Sequence, residues 1–199
     1  MHRCTAAPQT LPVGEVGCSS VERTLIDLAR EHGLAGGVVP MDVALRNGST
    51  TFDRLYTELD RCVRWPGVRT AREAIALADP LSESPLESQS RLKFGKFGLP
   101  QPEAQVRIGN TAGQFVARVD FYWDKFGVVG EADGAVKYEG IDVSPLHEEK
   151  KRQEALENLG LTVVRWGYAD LHDFEPVSMR LRRAFRRPKE RGWIVLPRL

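Results

Sequence analysis

Asp120 stands in the middle of Val116-Ala117-Arg118-Val119-Asp120-Phe121-Tyr122-Trp123, a run otherwise rich in β-branched and aromatic residues. Packing rarely places a carboxylate there, and burying one unpaired costs several kcal/mol. The next apolar run, Val128-Val129-Gly130-Glu131-Ala132-Asp133, repeats the anomaly. A strand's period of two predicts Glu131 and Asp133 on one face. A tight turn over residues 124–127 brings Asp120 and Glu131 close across a hairpin. Carboxylates gathered in this way repel one another unless a cation joins them. A hard divalent ion such as Mg²⁺ or Mn²⁺ meets that need with oxygen ligands. It also generates a nucleophilic hydroxide and stabilises charge on a phosphodiester.

The elements that must position these acids can be read from pattern. Ser84-Pro85-Leu86-Glu87 supplies an N-cap serine, a proline at N1 and a glutamate at N3, which predicts a helix to about Phe97 with Gly98 as its stop. Glu87 is thereby either a capping residue or a further acid at the site. Residues 104–108, 115–123 and 128–133 read as three antiparallel strands joined by turns. A charged helix over 145–159, a strand over 161–166 and a helix over 176–187 follow. The last strand is expected to join the sheet in parallel across the helix before it. Ahead of all this, residues 1–80 read as a mainly helical region. Ser20 caps its first helix, Gly33 stops that helix, and apolar residues recur at helical spacing over 41–46, 52–63 and 67–78. The expected fold class is therefore α/β, with a helical N-terminal region (1–80) followed by a mixed sheet flanked by helices (81–199).

Composition narrows the partners. The 199 residues carry a net charge of +1, with 42% hydrophobic and 28% charged side chains. That excludes a uniformly basic nucleic-acid coat, so any such site must be local. Over residues 176–199 eight basic residues face one acid, a local net of +7, and the first 175 residues carry −6. Arg180, Arg183 and Arg187 share one helical face there (i, i+3, i+7) and, with Arg118, are the expected phosphate contacts. Three separated cysteines without CxxC spacing argue against a disulfide framework or a thiolate zinc site. No apolar run approaches a membrane span, and no signal peptide is visible. A cytoplasmic protein is expected.

Glu87, Asp120 and Glu131-Ala132-Asp133 together resemble the PD-(D/E)XK nuclease arrangement. More narrowly, Gly98-Leu99-Pro100, Val119-Asp120-Phe121-Tyr122, Glu131-Ala132-Asp133-Gly134 and Leu159-Gly160 through Val164-Arg165-Trp166 resemble the very-short-patch-repair-type endonuclease-like domain, over residues 82–184. Arg23-Thr24-Leu25-Ile26-Asp27-Leu28-Ala29-Arg30 and Ala76-Leu77-Ala78-Asp79-Pro80 resemble actinobacterial proteins that join such a domain to a type IV abortive-infection antitoxin-like part. The winged helix of those proteins is not present, which suggests a shortened form or an internal start. The resemblance implies a restriction-endonuclease-like sheet, with Asp120, Glu131 and Glu87 as metal ligands and Asp133 as a supporting acid.

One departure stands out. The superfamily usually carries lysine two residues after its second acid, and this chain has Asp133. Lys137 is the expected substitute for positioning the attacking water, with Lys150 or Arg152 as alternatives. His147, beside two glutamates, reads as a solvated helix-start residue. The leading expectation is a Mg²⁺- or Mn²⁺-dependent DNA endonuclease, in phage defence or DNA repair. The alternative is a catalytically inactive nucleic-acid-binding or antitoxin-like regulator with a toxin partner. A remnant without function of its own is the third reading.

Overall fold

The computed structural model describes residues 10–13, 16–134, 144–187 and 190–198. The chain forms two compact units, Met1–Glu83 and Ser84–Leu199.

The first unit opens on a two-stranded antiparallel hairpin, β1 (Thr10–Val13) and β2 (Val16–Ser19), which the helical reading of this region did not anticipate. Helix α1 (Val21–Arg46) starts at Ser20, whose side chain accepts a hydrogen bond from the Arg23 amide. It breaks at the expected residue. Gly33 has φ 78° and ψ −170°, a backbone region essentially confined to glycine, and the helix resumes immediately beyond it. Helices α2 (Phe52–Arg61) and α3 (Val68–Leu77) complete the unit. Its core is Leu25, Ile26, Met41, Leu55, Leu59 and Ile75, all buried. Gly37 lets two helices meet closely, because a Cβ there would stand 2.5 Å from that of Ala29 and 2.9 Å from that of Ala74. Trp65 is flanked by the guanidinium groups of Arg23 and Arg30, at 3.8 and 4.8 Å from its ring, and Asp27 bonds both arginines.

The second unit begins with α4 (Pro85–Lys96), capped by Ser84, whose side chain accepts from the Glu87 amide. The meander β3 (Glu103–Asn110), β4 (Phe115–Trp123) and β5 (Val128–Ala132) follows, then α5 (Ser144–Asn158), β6 (Thr162–Trp166) and α6 (Glu175–Phe185). Strand β6 runs parallel to β5 across α5, as expected. A last strand, β7 (Trp193–Leu196), was not foreseen; it pairs antiparallel with β3. The sheet order is β6-β5-β4-β3-β7, a mixed five-stranded sheet flanked by helices.

The period of two along each strand separates two cores. On the side of α4 and α6, Phe94 meets Phe121, Trp123 and Trp166 edge-on at centroid distances of 5.2, 5.3 and 5.7 Å. Gly130 is the place where these rings leave no room: a Cβ would stand 2.6 Å from Cη2 of Trp166. On the other side, Leu156 of α5 packs with Tyr122, Val129 and Trp193. Trp193 Nε1 donates to the buried Tyr122 hydroxyl at 2.6 Å, which in turn donates to Asp124 at 2.8 Å. That chain of bonds fastens β7 to the sheet. No helix among the described residues is long and apolar enough to cross a membrane.

Candidate active site on the α5 face of the sheet

The ladder between β4 and β5 runs from Trp123↔Val128 to Phe121↔Gly130. The next position puts Asp120 across from Glu131. Here a side chain takes over from the backbone: Asp120 Oδ2 accepts the amide of Ala132 at 2.9 Å. On the other flank, Glu131 is in parallel register with Arg165 of β6. Residues opposite one another on neighbouring strands share a face, so Asp120, Glu131 and Arg165 form a transverse row.

Helix α5 lies over that row. Arg152 reaches Glu131 Oε2 at 3.3 Å, and Glu149 is paired with Arg165. Glu131 is 6% exposed, and its Oε1 has no hydrogen-bond partner among the described residues. Burial, and then the negative charge of Asp120, push its carboxyl up to about 7; Arg152 and Arg165 pull the other way. The Nε atoms of both arginines are also buried without a partner among the described residues. This buried polar cluster is therefore rich in charge and incompletely satisfied.

The carboxylate pair within that cluster fits a divalent cation. A buried carboxylate oxygen with no donor, beside a second carboxylate, is a hard-oxygen environment that a cation would complete. Among the described residues no group of three or more His, Cys, Asp or Glu side chains converges. Mg²⁺ does not require one, since it usually keeps several waters and uses one or two carboxylates.

The remaining expected residues are placed as follows. Glu87 is buried at the start of α4, where Oε1 accepts from the Ser84 hydroxyl at 2.7 Å and Oε2 from Gln105 at 2.9 Å. Gln105 has φ 53° and falls between Ala104↔Phe121 and Val106↔Val119, opposite Asp120. Asp133 corrects the shared-face expectation: β5 ends at Ala132, and Asp133 is exposed beyond it, with its amide bonded to Trp166 O at 2.8 Å. Lys137 lies outside the described residues, as does the side chain of His147. Of the alternative cations, Arg152 faces Glu131, whereas Lys150 is exposed and approaches Glu154 at 3.9 Å. Arg118 is exposed on β4.

Arg165 and Gln105 were not singled out from the sequence. For Arg165 the signal was available, because Val163-Val164-Arg165-Trp166 has a charge within an apolar strand just as the Asp120 strand does. Gln105 gave none; its role follows from a positive φ that only the folded chain reveals.

The chain is 29% identical over 141 residues to two proteins of Mycobacterium tuberculosis, Uncharacterized protein MT2308 of strain CDC 1551 and Uncharacterized protein Rv2248 of strain H37Rv. The match covers 71% of this chain and 51% of each relative, so the chain spans about half the length of the curated relatives it matches. No protein-family model matches the chain, and no solved structure does.

Proposed function

We propose that the Ser84–Leu199 unit is a Mg²⁺- or Mn²⁺-dependent phosphodiesterase of the PD-(D/E)XK, very-short-patch-repair-like kind, acting on DNA. The observation that carries this reading is the buried Glu131 carboxylate, one oxygen unpartnered among the described residues, directly across the sheet from Asp120. The element order α4-β3-β4-β5-α5-β6, with β6 parallel to β5, supports it as the arrangement that the resemblance implies.

Asp120 and Glu131 would hold the cation. When bound, it would supply a water of lowered pKa and stabilise charge on the phosphodiester. The chain's own residues set the conditions. Asp120 is fixed by the Ala132 amide, so one carboxylate is pre-positioned. Glu131 must lose its proton to act as a ligand, and with a pKa near 7 it does so in the neutral range. Arg152 fills the place of a cation beside the second acid, where the superfamily lysine is replaced by Asp133. Glu87, held by Ser84 and Gln105, would be a supporting acid.

A second reading has one observation of its own. The Arg152 guanidinium already partly neutralises Glu131 without metal, as in a sheet kept for binding and not for hydrolysis. That protein would be a nucleic-acid-binding or antitoxin-like regulator with a toxin partner. Incubating the purified chain with supercoiled plasmid, linear duplex and single-stranded DNA in Mg²⁺ or Mn²⁺, against EDTA and Asp120→Ala, separates the two. Metal-dependent cleavage lost in the variant supports the phosphodiesterase. Binding unchanged by EDTA and by Asp120→Ala, without cleavage, replaces it with the regulator.

A further inference from the structure

Strand β6 is an edge of the sheet, and a groove of about 270 Å³ runs along it beneath α6. Thr162, Val164, Arg165, Arg180, Arg183 and Arg187 line it. The three α6 arginines recur at i, i+3 and i+7, which spaces their stems by roughly 5–6 Å along one helix face. Arg180 is half exposed, with Asp170 as a distant partner at 3.9 Å. Arg183 and Arg187 are exposed and have no ion-pair partner among the described residues. Arg165 also borders the groove, but its guanidinium is paired with Glu149 of α5, on the opposite face of the sheet.

A second feature lies in the turn that follows β6. Tyr168 follows β6 by two residues and is 48% exposed, an exposed ring like that of Phe115 at the start of β4. It lies beside the exit from β5, with Cε2 3.9 Å from where a Cβ on Gly134 would stand. Arg180 and its partner Asp170 bring the first arginine of α6 towards the same turn. Guanidinium forks match phosphate oxygens, and a solvent-facing aromatic ring offers a stacking surface to any base. A narrow arginine-lined groove with an exposed aromatic ring in the adjoining turn suits one strand with its bases unpaired. A duplex would keep those bases stacked inside.

We propose that the β6–α6 groove is a binding track for one unpaired nucleic-acid strand, with Arg180, Arg183 and Arg187 on its phosphates and Tyr168 beneath a base. The choice of a nucleic acid rests on the phosphodiesterase reading; the groove and its charge do not. The strand would run along α6 and leave the groove by Tyr168, in the turn that follows β6.

The test measures fluorescence anisotropy of labelled oligo-dT and oligo-U, with a duplex of the same length and a polyglutamate peptide as competitors, all in EDTA. Expected are tighter binding of the single strands than of the duplex and a loss of at least tenfold in Arg183→Gln/Arg187→Gln. Tyr168→Ala should also lose about tenfold. Each neutralised phosphate contributes roughly −0.7 to the salt slope for single strands, so the double variant should flatten it by about 1.4. Arg186→Gln, exposed and outside the groove, should change affinity less than twofold. Equal or tighter duplex binding, competition by polyglutamate as strong as by oligonucleotide, or an equal loss in Arg186→Gln would overturn the track. Cleavage is scored separately in Mn²⁺. Strand binding without cleavage keeps the track and removes the enzyme; cleavage with binding unchanged in the double variant does the reverse.

Discussion

Asp120 and Glu131 meet where the β4–β5 ladder ends, and the Asp120 side chain, not its backbone, bonds the amide beside Glu131. One acid is thereby fixed by a hydrogen bond while the other is buried with an oxygen to spare. Two carboxylates so unlike in environment should respond differently to a cation. In isothermal titration with Mn²⁺ at pH 8, Asp120→Ala is expected to lower affinity at least tenfold, and Glu131→Gln likewise. Asp133→Asn should change it less than threefold, since Asp133 is exposed past the end of the strand. Affinity unchanged in Asp120→Ala would remove the metal assignment.

The Glu131 carboxyl also makes stability depend on pH. Its pKa rises from 4.5 unfolded to about 7 in the fold, so the native state keeps a proton that the unfolded chain releases. The groups facing it are Asp120, Arg152 and Arg165, with Glu149 behind, and burial outweighs the two arginines. The contribution is fully present below about pH 4.5 and is lost as pH rises through about 7. Its size is on the order of 3 kcal/mol. Melting in EDTA from pH 4.5 to 8 should show the wild type falling by roughly 10 °C relative to Glu131→Gln. Parallel curves for the two proteins would show that Glu131 is ionised throughout, and Mn²⁺ at pH 8 should restore much of the wild-type loss.

Arg152 is the cation that Glu131 touches, and truncating it tests how that charge is balanced. Arg152→Met keeps the apolar stem and removes the guanidinium 3.3 Å from Oε2. The Glu131 pKa should rise further, and the pH-dependent loss above should extend to more alkaline pH. In Mn²⁺ the same variant should bind metal more weakly at pH 7 but recover by pH 9. A pH profile indistinguishable from wild type would reduce the pair to a surface contact.

Much of this arrangement was legible because each signal was local. Ser84 with Glu87 marked the start of α4, alternation marked β4 and β5, and a carboxylate inside each apolar strand marked Asp120 and Glu131. The features that escaped are set by distant partners. Strand β7 is only four residues long, and Trp193 finds its place opposite Asn110, more than eighty residues earlier. Asp133 looked equivalent to Glu131 because a period of two knows nothing of where a strand stops. The reach of Arg152 depends on how α5 lies across the sheet, which no spacing within the helix encodes. The hairpin of β1 and β2 was hidden by the helical periodicity that follows it.

Gly130 tests the packing behind the site. A methyl group there would stand 2.6 Å from Trp166 and 3.0 Å from Trp123, both locked in the aromatic core. Overpacking of this kind costs about 1–3 kcal/mol, and the rings can yield only by pushing on β5, which carries Glu131. Gly130→Ala should therefore lower the urea midpoint and also weaken Mn²⁺ binding. Normal stability with normal binding would mean that the rings move freely.

The Trp193–Tyr122 bond makes a sharper stability test, because it joins the C-terminal strand to the middle of the sheet. Tyr122→Phe leaves the buried Trp193 N–H without its acceptor and should cost about 1–3 kcal/mol. Trp193→Phe should cost a similar amount by leaving a cavity and removing the donor to the Tyr122 hydroxyl. In the double variant neither polar group remains stranded, so the combined loss should fall short of the sum by about 1 kcal/mol or more. Urea unfolding of the three proteins measures the difference. Strict additivity would mean that β7 is held by its apolar contacts and backbone pairing with β3, with the hydrogen bond contributing nothing.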